Sequence, residues 1–383
     1  MQFHQQPQGA DDAQPRQAGS APPAQFINHH EGQSFLLCGL DDGGLACAVP
    51  LKKRVRRGGA RRTHFTPGCG LHARGGGPQP LCALDAAHGA AITFGMLRPF
   101  LLLAAVVSPL LAVEPLNLAV RSQAKQPEGS FTTAENAVQW ASKKTALIVT
   151  DMWDDHWCKS AARRVTEMAG PLNEMLKTAR AKGVFIIHAP SSVTDFYNDT
   201  PQRKLAQSAP FAKTPVPLAT AERWGTAWCW TDGKHEGVLP IDDSDMGCSC
   251  TGKKCEIIPP WKRQNAAIEL FPGDALTDNG QETWNLLQAR GIENVILCGV
   301  HLNMCVLGRP FAIRQQVYVG KNVVLMRDMT DTMYNPERPP GVDHFTGTDL
   351  MISHVEKYWC PSFLSTDITG HPPFRFAEDK RVK

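Results

Sequence analysis

From residue 145 onward, short apolar runs alternate with segments of helical spacing, and this alternation constrains the fold more than any other feature. The apolar runs occupy 145–151, 184–188, 266–270, 294–300 and 322–328. Helical spacing occupies 161–182, 280–290, 305–318 and 347–357. Continuous apolar strands joined by helices predict an α/β fold with a mostly parallel sheet covered on both faces. We therefore predict one α/β domain over 131–370 and a tail over 371–383.

The first 95 residues have a different character. They are rich in Gly, Pro, Gln, Arg and His, without sustained strand or helix periodicity, which predicts disorder. The basic run LKKRVRRGGARR at 51–62 is interpreted as a solvated charge run, with a nucleic-acid or localisation patch as the alternative. The net charge of +3 is too small to indicate a nucleic-acid partner.

An apolar stretch follows in MLRPFLLLAAVVSPLLAVEP at 96–115. It is too short to predict a stable membrane anchor, and it matches a secretory signal that begins at Met96. On this interpretation, 1–95 is an over-called start and 96–130 is a signal segment and linker. The protein is then exported to the periplasm or the extracellular space, and it is cytoplasmic if the signal is not used. A buried or interfacial apolar segment is the alternative.

Residues 189–260 lack regular periodicity and are rich in Trp, Pro, Asp and Cys, which predicts a long insertion after a strand. Within it, CSCTGKKC brings Cys248, Cys250 and Cys255 close together in the sequence. These residues suit zinc with a fourth ligand from elsewhere, but the spacing is not that of a standard zinc knuckle. Export favours a disulfide between two of the three, so we predict no cofactor.

Two candidate site residues lie just past the ends of predicted strands. Asp151 ends TALIVTD, and Cys305 lies in GVHLNMCVLGRP at the start of a predicted helix. Ligands of parallel sheets bind beyond the carboxyl ends of the strands, so both residues point to one crevice. A helix N-terminus favours a thiolate, and the loop at 299–305 offers N–H groups for an oxyanion. A packed structural cysteine and a structural aspartate are the alternatives. Lys262, or the adjacent Arg263, is a candidate cation that lowers the thiol pKa.

Four blocks of the chain resemble the isochorismatase-like cysteine hydrolases, which include nicotinamidases and N-carbamoylsarcosine amidases. The blocks are TALIVTDMWDDHWC, VFIIHAPSS, RGIENVILCGVHLNMCVLGRPFAIRQ and VVLMRDMTDT, within about 145–357. The resemblance implies a three-layer Rossmann-like sandwich and an Asp–Lys–Cys triad. It places the acid on Asp151, the nucleophile on Cys305 and the cation on Lys262, with Arg263 as the alternative. It also implies a cis peptide bond before His301, and an oxyanion hole formed by the amides of His301 and Cys305.

The resemblance gives no support for the metal site of nicotinamidases, because HAPSSVTDFYND contains no Asp-x-His. The sequence therefore predicts a cysteine-dependent hydrolase of a small amide or related C–N bond, with no metal at the catalytic site. Its partners are a small-molecule substrate and, as in many members of that family, further copies of itself. Two alternatives stay open: a catalytically silent binding or structural protein on the same scaffold, and an isochorismatase-type ether hydrolase.

Overall fold

The computed structural model describes residues 114–215, 229, 234–252 and 255–381. The predicted disorder, the basic run and the proposed signal start at Met96 lie outside these residues. Within them, one sheet of eight strands has the order β2-β1-β8-β7-β6-β3-β4-β5. The strands are β1 (Leu116–Lys125), β2 (Phe131–Trp140), β3 (Thr145–Thr150), β4 (Phe185–Ala189), β5 (Ala275–Leu276), β6 (Asn294–Val300), β7 (Asn322–Asp331) and β8 (Ser362–Phe363).

The sheet is mostly parallel, as the alternation of strands and helices predicts. In that order, each pair of neighbouring strands from β8 through β7, β6, β3 and β4 to β5 is parallel. Strand β1 instead pairs antiparallel with both β2 and β8. The helices are α1 (Lys159–Ala181), α2 (Pro201–Gln207), α3 (Gly280–Ala289), α4 (Cys305–Gly308), α5 (Ile313–Tyr318), α6 (His344–Tyr358) and α7 (Thr366–Thr369). Among the described helices, none is long and apolar enough to cross a lipid bilayer.

Strand β3 is buried along its whole length because its side chains enter two separate cores. Leu147 and Val149 belong to the core that contains the apolar face of α1. Ala146 and Ile148 belong to the second core, which α3, α4, α5 and α6 line. Alternate strand residues point to opposite faces of a sheet, so β3 is apolar at nearly every position.

Helix α1 follows the predicted apolar period closely. Six residues at helical spacing are all buried: Val165, Met168, Leu172, Met175, Leu176 and Ala179. Full burial of one such side chain stabilises the fold by about 1.5–3 kcal/mol relative to exposure. The helix ends before Gly183, whose φ of +89° is the left-handed conformation that commonly closes a helix.

Two predicted elements are wrong. The run at 266–270 is not a strand, because Asn265 folds the chain into a turn by accepting a hydrogen bond from the Ala267 N–H at 3.0 Å. The short strand β5 comes later, at Ala275–Leu276. The single helix predicted over 305–318 is two short helices, α4 and α5. Pro310 interrupts it because the residue before a proline is biased away from helical backbone angles, and Arg309 is extended with ψ of 157°.

Both ends of the described chain belong to this fold. Strand β1 begins before residue 131, where the sequence places the start of the domain, and it joins the same sheet. Beyond residue 370, Phe374 and Phe376 pack with the core that contains α1. Segments assigned to a linker and a tail therefore contribute to the packing.

At Gly299 the backbone of β6 comes very close to that of β3. The φ of Gly299 is +98°, and a Cβ atom there would lie 2.1 Å from the carbonyl oxygen of Thr150. We expect Gly299→Ala to lower the free energy of unfolding by about 3 kcal/mol, through backbone strain and forced separation of β3 from β6. Urea unfolding measures this change.

A matched control is Gly170→Ala in the middle of α1, where a Cβ atom would have no neighbour within 4 Å. Alanine favours the helix over glycine, so we expect this variant to be more stable by about 0.5–1 kcal/mol. Equal urea midpoints for Gly299→Ala and the unchanged protein would contradict the close contact.

Candidate functional site

The candidate site lies where β3 and β6 end side by side. These strands are parallel neighbours, and Thr150 pairs with Gly299 in the register. Asp151 therefore follows the end of β3 next to the loop 301–304 that follows β6. Asp151 has a φ of +44°, an uncommon conformation for a residue with a side chain. Helix α4 then starts at Cys305.

The structure brings together Asp151, Cys305 and Arg309. Asp151 is fully buried, and its Oδ2 lies 3.2 Å from Nε of Arg309. Its Oδ1 accepts a hydrogen bond of 2.7 Å from the backbone N–H of Ser191. The thiol of Cys305 donates to the Asp151 carboxylate, and its sulfur accepts from Arg309. The three side chains thus form one buried acid–thiol–cation group.

Burial determines the protonation of this group. Removal from water raises the pKa of Cys305 well above its ordinary value, and the nearby negative charge of Asp151 raises it further. Burial also raises the pKa of Asp151, against the opposing effect of Arg309. Burial therefore opposes the thiolate that the sequence analysis predicts from the helix N-terminus. Helix α4 has only four residues, and the Cys305 sulfur faces the carboxylate of Asp151, a hydrogen-bond acceptor.

The cation at this site is one that the sequence analysis missed. Arg309 lies four residues after Cys305, and its backbone N–H donates to the Cys305 carbonyl at 3.1 Å. Side chains four residues apart in a helical turn lie on the same face. The basic residue in CVLGRP was therefore a signal for a cation next to the thiol.

Lys262 and Arg263 are both exposed, and both contact Asp154, while the Arg263 guanidinium also lies 5.9 Å from the centroid of the Phe196 ring. The Lys262 backbone N–H donates to Asp154 Oδ1 at 2.9 Å, and the Arg263 Nε lies 3.8 Å from Asp154 Oδ2. The residue that turns inward is Gln264, which pairs with Trp153 and is 3% exposed. The structure therefore places Arg309 at the thiol, in the position predicted for Lys262 or Arg263.

Two backbone N–H groups at the thiol are available to a ligand. In the described part of the chain, the N–H groups of His301 and Cys305 donate no backbone hydrogen bond, whereas Met304 and Val306 both donate to the His301 carbonyl. The peptide bond between Val300 and His301 is cis. These are the amides that the family resemblance assigns to an oxyanion hole.

Aromatic rings form a wall beside the strand ends. Trp153 stacks on Trp261 with ring centroids 4.3 Å apart and an interplanar angle of 9°. The ring of His156 lies 5.5 Å from that of Trp261 and 5.0 Å from that of His301. Burial lowers the pKa of His156 to about 4 and that of His301 well below its ordinary value. The wall is therefore uncharged at neutral pH.

A cavity of about 760 Å³ lies elsewhere in the fold. It is lined by 236–244 together with Pro339 and Pro340. Asp151, Cys305 and Arg309 are not part of its lining, so the cavity is separate from the acid–thiol–cation group.

The cysteines of the insertion are not joined by a disulfide. No disulfide joins Cys248, Cys250 or Cys255 to another cysteine of the described ranges. The disulfide that the sequence analysis favoured is therefore absent. The Sγ atoms of Cys248 and Cys250 lie within 4.8 Å of the Sγ of Cys158, a residue the sequence analysis did not connect with them.

No protein-family model matches the chain, and no curated protein matches it. Among solved structures, it is similar to a cysteine hydrolase from Pseudomonas syringae pv. phaseolicola 1448A, with 17% identity and a TM-score of 0.34 over 60% of this chain and 94% of that chain. An isochorismatase family protein from Burkholderia thailandensis has 14% identity and a TM-score of 0.34 over 59% and 94% of the two chains. N-carbamoylsarcosine amidase from Thermoplasma acidophilum has 14% identity and a TM-score of 0.30 over 59% and 99%. Likeness at this level does not assign an activity, which has to be argued from the site itself.

Proposed function

We propose that this protein hydrolyses a small amide or a related C–N bond through a covalent acyl-enzyme intermediate on Cys305. The observation that carries the proposal is the buried group in which the Cys305 thiol contacts both Asp151 and Arg309. A nucleophile, a base and a fixed positive charge within hydrogen-bond reach are the components that nucleophilic catalysis requires. A catalytically silent scaffold has no need to bury all three together.

In the first step, Asp151 takes the thiol proton while the sulfur attacks the carbonyl carbon of the substrate. The raised pKa of Asp151 suits a general base, because a carboxylate of ordinary pKa is a weak proton acceptor. The carbonyl oxygen becomes an oxyanion, which the N–H groups of His301 and Cys305 stabilise. The C–N bond then breaks, and Asp151 returns the proton to the leaving nitrogen.

In the second step, water hydrolyses the thioester. Asp151 accepts a proton from the water, and the hydroxyl adds to the acyl carbon. The oxyanion forms a second time at the same two N–H groups. Collapse of this intermediate breaks the C–S bond, releases a carboxylic acid and returns the proton to the sulfur. The acid, thiol and cation are then in their starting state.

Arginine is sufficient as the cation in this mechanism. A guanidinium stays protonated at every accessible pH and cannot transfer a proton. Because Asp151 performs both proton transfers, Arg309 has only to stabilise negative charge, first on Asp151 and then on the sulfur. An arginine in the cation position is therefore compatible with turnover.

The aromatic wall supports a small, uncharged substrate. Trp153, His156 and Trp261 lie in parallel or nearly parallel planes, and the only titratable ring among them is neutral at pH 7. Flat apolar surfaces bind planar groups by stacking. An amide attached to a planar or apolar group fits this surface better than a charged one.

A screen of small amides and N-carbamoyl compounds tests the proposal, with released ammonia as the readout. A compound that is turned over is then mixed with the enzyme and quenched in acid for mass spectrometry. We expect an added acyl mass on the peptide that contains Cys305. Turnover of an amide without any adduct at Cys305 would contradict the covalent mechanism, and turnover of enol ethers but of no amide would favour the ether hydrolase.

A further inference from the structure

Four cysteine sulfurs converge at the start of α1, outside the catalytic group. Cys158 is the residue directly before α1, and Cys248, Cys250 and Cys255 come from the insertion. The Sγ atoms of Cys158, Cys248 and Cys250 all lie within 4.8 Å of one another. Cys255 lies beside this group, because its Sγ is 3.5 Å from that of Cys250 and is hydrogen-bonded to Cys248. We call these residues the four-cysteine cluster.

The sulfur separations match the coordination shell of a single metal ion. The Sγ atoms of Cys158 and Cys250 are 3.8 Å apart, and those of Cys250 and Cys255 are 3.5 Å apart. A zinc–sulfur bond of about 2.3 Å in tetrahedral geometry gives sulfurs about 3.8 Å apart. A disulfide requires about 2.05 Å. These two separations are too long for a bonded pair and are close to those between sulfurs that share one ion.

Backbone N–H groups point at every sulfur of the cluster. The Ser160 N–H donates to Cys250 Sγ at 3.2 Å. The remaining donors are Ala161 and Ser249 to Cys158, Cys250 and Cys255 to Cys248, and Lys159 to Cys255. Hydrogen bonds to the charged form of a group favour that form. Four thiols that only pack together have no need of so many donors, whereas four thiolates bound to a cation do.

The surroundings of the cluster are largely apolar, although Cys250 and Cys255 stay partly exposed. Apolar side chains pack around the cluster: Trp157, Ala161, Met246, Trp261, Met304 and Met333. The guanidinium of Arg164 approaches through a hydrogen bond of 3.3 Å to the Ser249 hydroxyl. A site with four thiolates and one divalent ion carries a net charge of −2, and the charge of Arg164 lies near it but is paired with Asp331 at 2.7 Å.

We propose that Cys158, Cys248, Cys250 and Cys255 together bind one zinc ion as a structural centre. Each thiol loses one proton to solvent as its sulfur binds the metal, and no electron is transferred. Four sulfur ligands fill the tetrahedral shell, so the ion has no open position for catalysis. The sulfurs are also too close together to surround a multi-iron cluster, which selects a single soft divalent ion.

The zinc centre would connect the insertion to the catalytic crevice. Cys158 lies seven residues after Asp151. Two residues that pack against the cluster also belong to the crevice: Met304 directly precedes Cys305, and Trp261 is part of the aromatic wall. Four metal bonds would therefore hold the 246–261 region against the start of α1. In this way the metal would fix the aromatic wall in place without contact with substrate.

Metal analysis of the full chain, purified under reducing conditions, tests this proposal independently of activity. We expect about one zinc ion per chain. Cys158→Ser and Cys250→Ser should each remove most of it, whereas Cys360→Ser, which changes a buried cysteine in another core, should retain it. Zinc that persists in both cluster variants, or a disulfide within the cluster in metal-free protein, would overturn the proposal.

Cobalt binding gives a second measurement if the cluster variants do not fold. The metal-free chain, with Cys38, Cys47, Cys69 and Cys82 replaced by serine, is titrated with Co²⁺. We expect the intense sulfur-to-cobalt charge-transfer bands and the visible bands of tetrahedral thiolate coordination, and we expect zinc to displace them. Cobalt that binds without thiolate bands, or no binding at all, would overturn the proposal.

Discussion

Cys305→Ala is expected to lower kcat/KM for any hydrolysed amide by about 10⁴-fold or more, because loss of the nucleophile removes the covalent route entirely. The fold should survive. The change removes one buried sulfur, and Asp151 and Arg309 still hold each other at 3.2 Å. We expect a loss of about 1 kcal/mol in the free energy of unfolding. Ammonia release and urea unfolding on the same preparation measure the two effects.

The matched control for this experiment is Cys298→Ala. Cys298 is also fully buried and lies on β6, and its sulfur donates to the carbonyl oxygen of Ile148 at 3.6 Å. Its removal should leave kcat/KM nearly unchanged. If Cys305→Ala hydrolyses amides as fast as Cys298→Ala does, Cys305 is not the nucleophile.

Arg309→Gln is the second large expected effect. Glutamine retains hydrogen-bonding groups but removes the charge that faces Asp151 and the sulfur. We expect kcat/KM to fall by about 10²-fold, which is typical for the loss of one preorganised electrostatic contact. We also expect a loss of about 3 kcal/mol in stability, because Asp151 stays buried without its partner charge. Steady-state kinetics and urea unfolding measure both changes.

The pH profile separates the electrostatic role of Arg309 from simple packing. The base must be ionised, so activity falls as the pH drops through the pKa of Asp151. Burial already raises that pKa above its ordinary value of 3.8, and Arg309 opposes the rise. Arg309→Gln should therefore move the acid limb of kcat/KM to higher pH. An unchanged limb would show that Arg309 does not act on Asp151.

Lys262→Gln is the control for Arg309→Gln, and it tests the cation that the sequence predicted. Lys262 is exposed, and its backbone, rather than its side chain, contacts Asp154. A surface substitution of this kind changes stability by about 0.5 kcal/mol or less. We expect kinetics and a pH profile close to those of the unchanged protein. A large loss of activity would return the cation role to Lys262.

The sequence predicts the central strands and long helices well because burial on both faces leaves a continuous apolar run that few other arrangements tolerate. It also predicts that Asp151 and Cys305 meet, since both follow strands whose ends lie at the same edge. It does not show which side chain of WKRQ turns inward. That choice depends on the pairing of Gln264 with Trp153, which joins distant parts of the chain.

The other features that the sequence did not predict have a similar cause. Strand β5 has only two residues, too few to leave a pattern. The raised pKa of Cys305 could not be inferred from helix position, because it depends on burial and on the charge of Asp151 rather than on a helix of four residues. Cys158, the fourth member of the four-cysteine cluster, is separated from the other three in the sequence by α1 and β4. Only the folded chain brings Cys158 to the insertion.

The pairing of β1 with β8 has a consequence for synthesis on the ribosome. Arg121 of β1 lies opposite Ser362 of β8, so the sheet is complete only after nearly the whole chain has emerged. Until then, the hairpin of β1 and β2 presents an unpaired strand edge, which is prone to join other chains. Pairing between such distant segments is also slow. Chaperone binding to the nascent chain would therefore be most valuable before residue 362 leaves the exit tunnel.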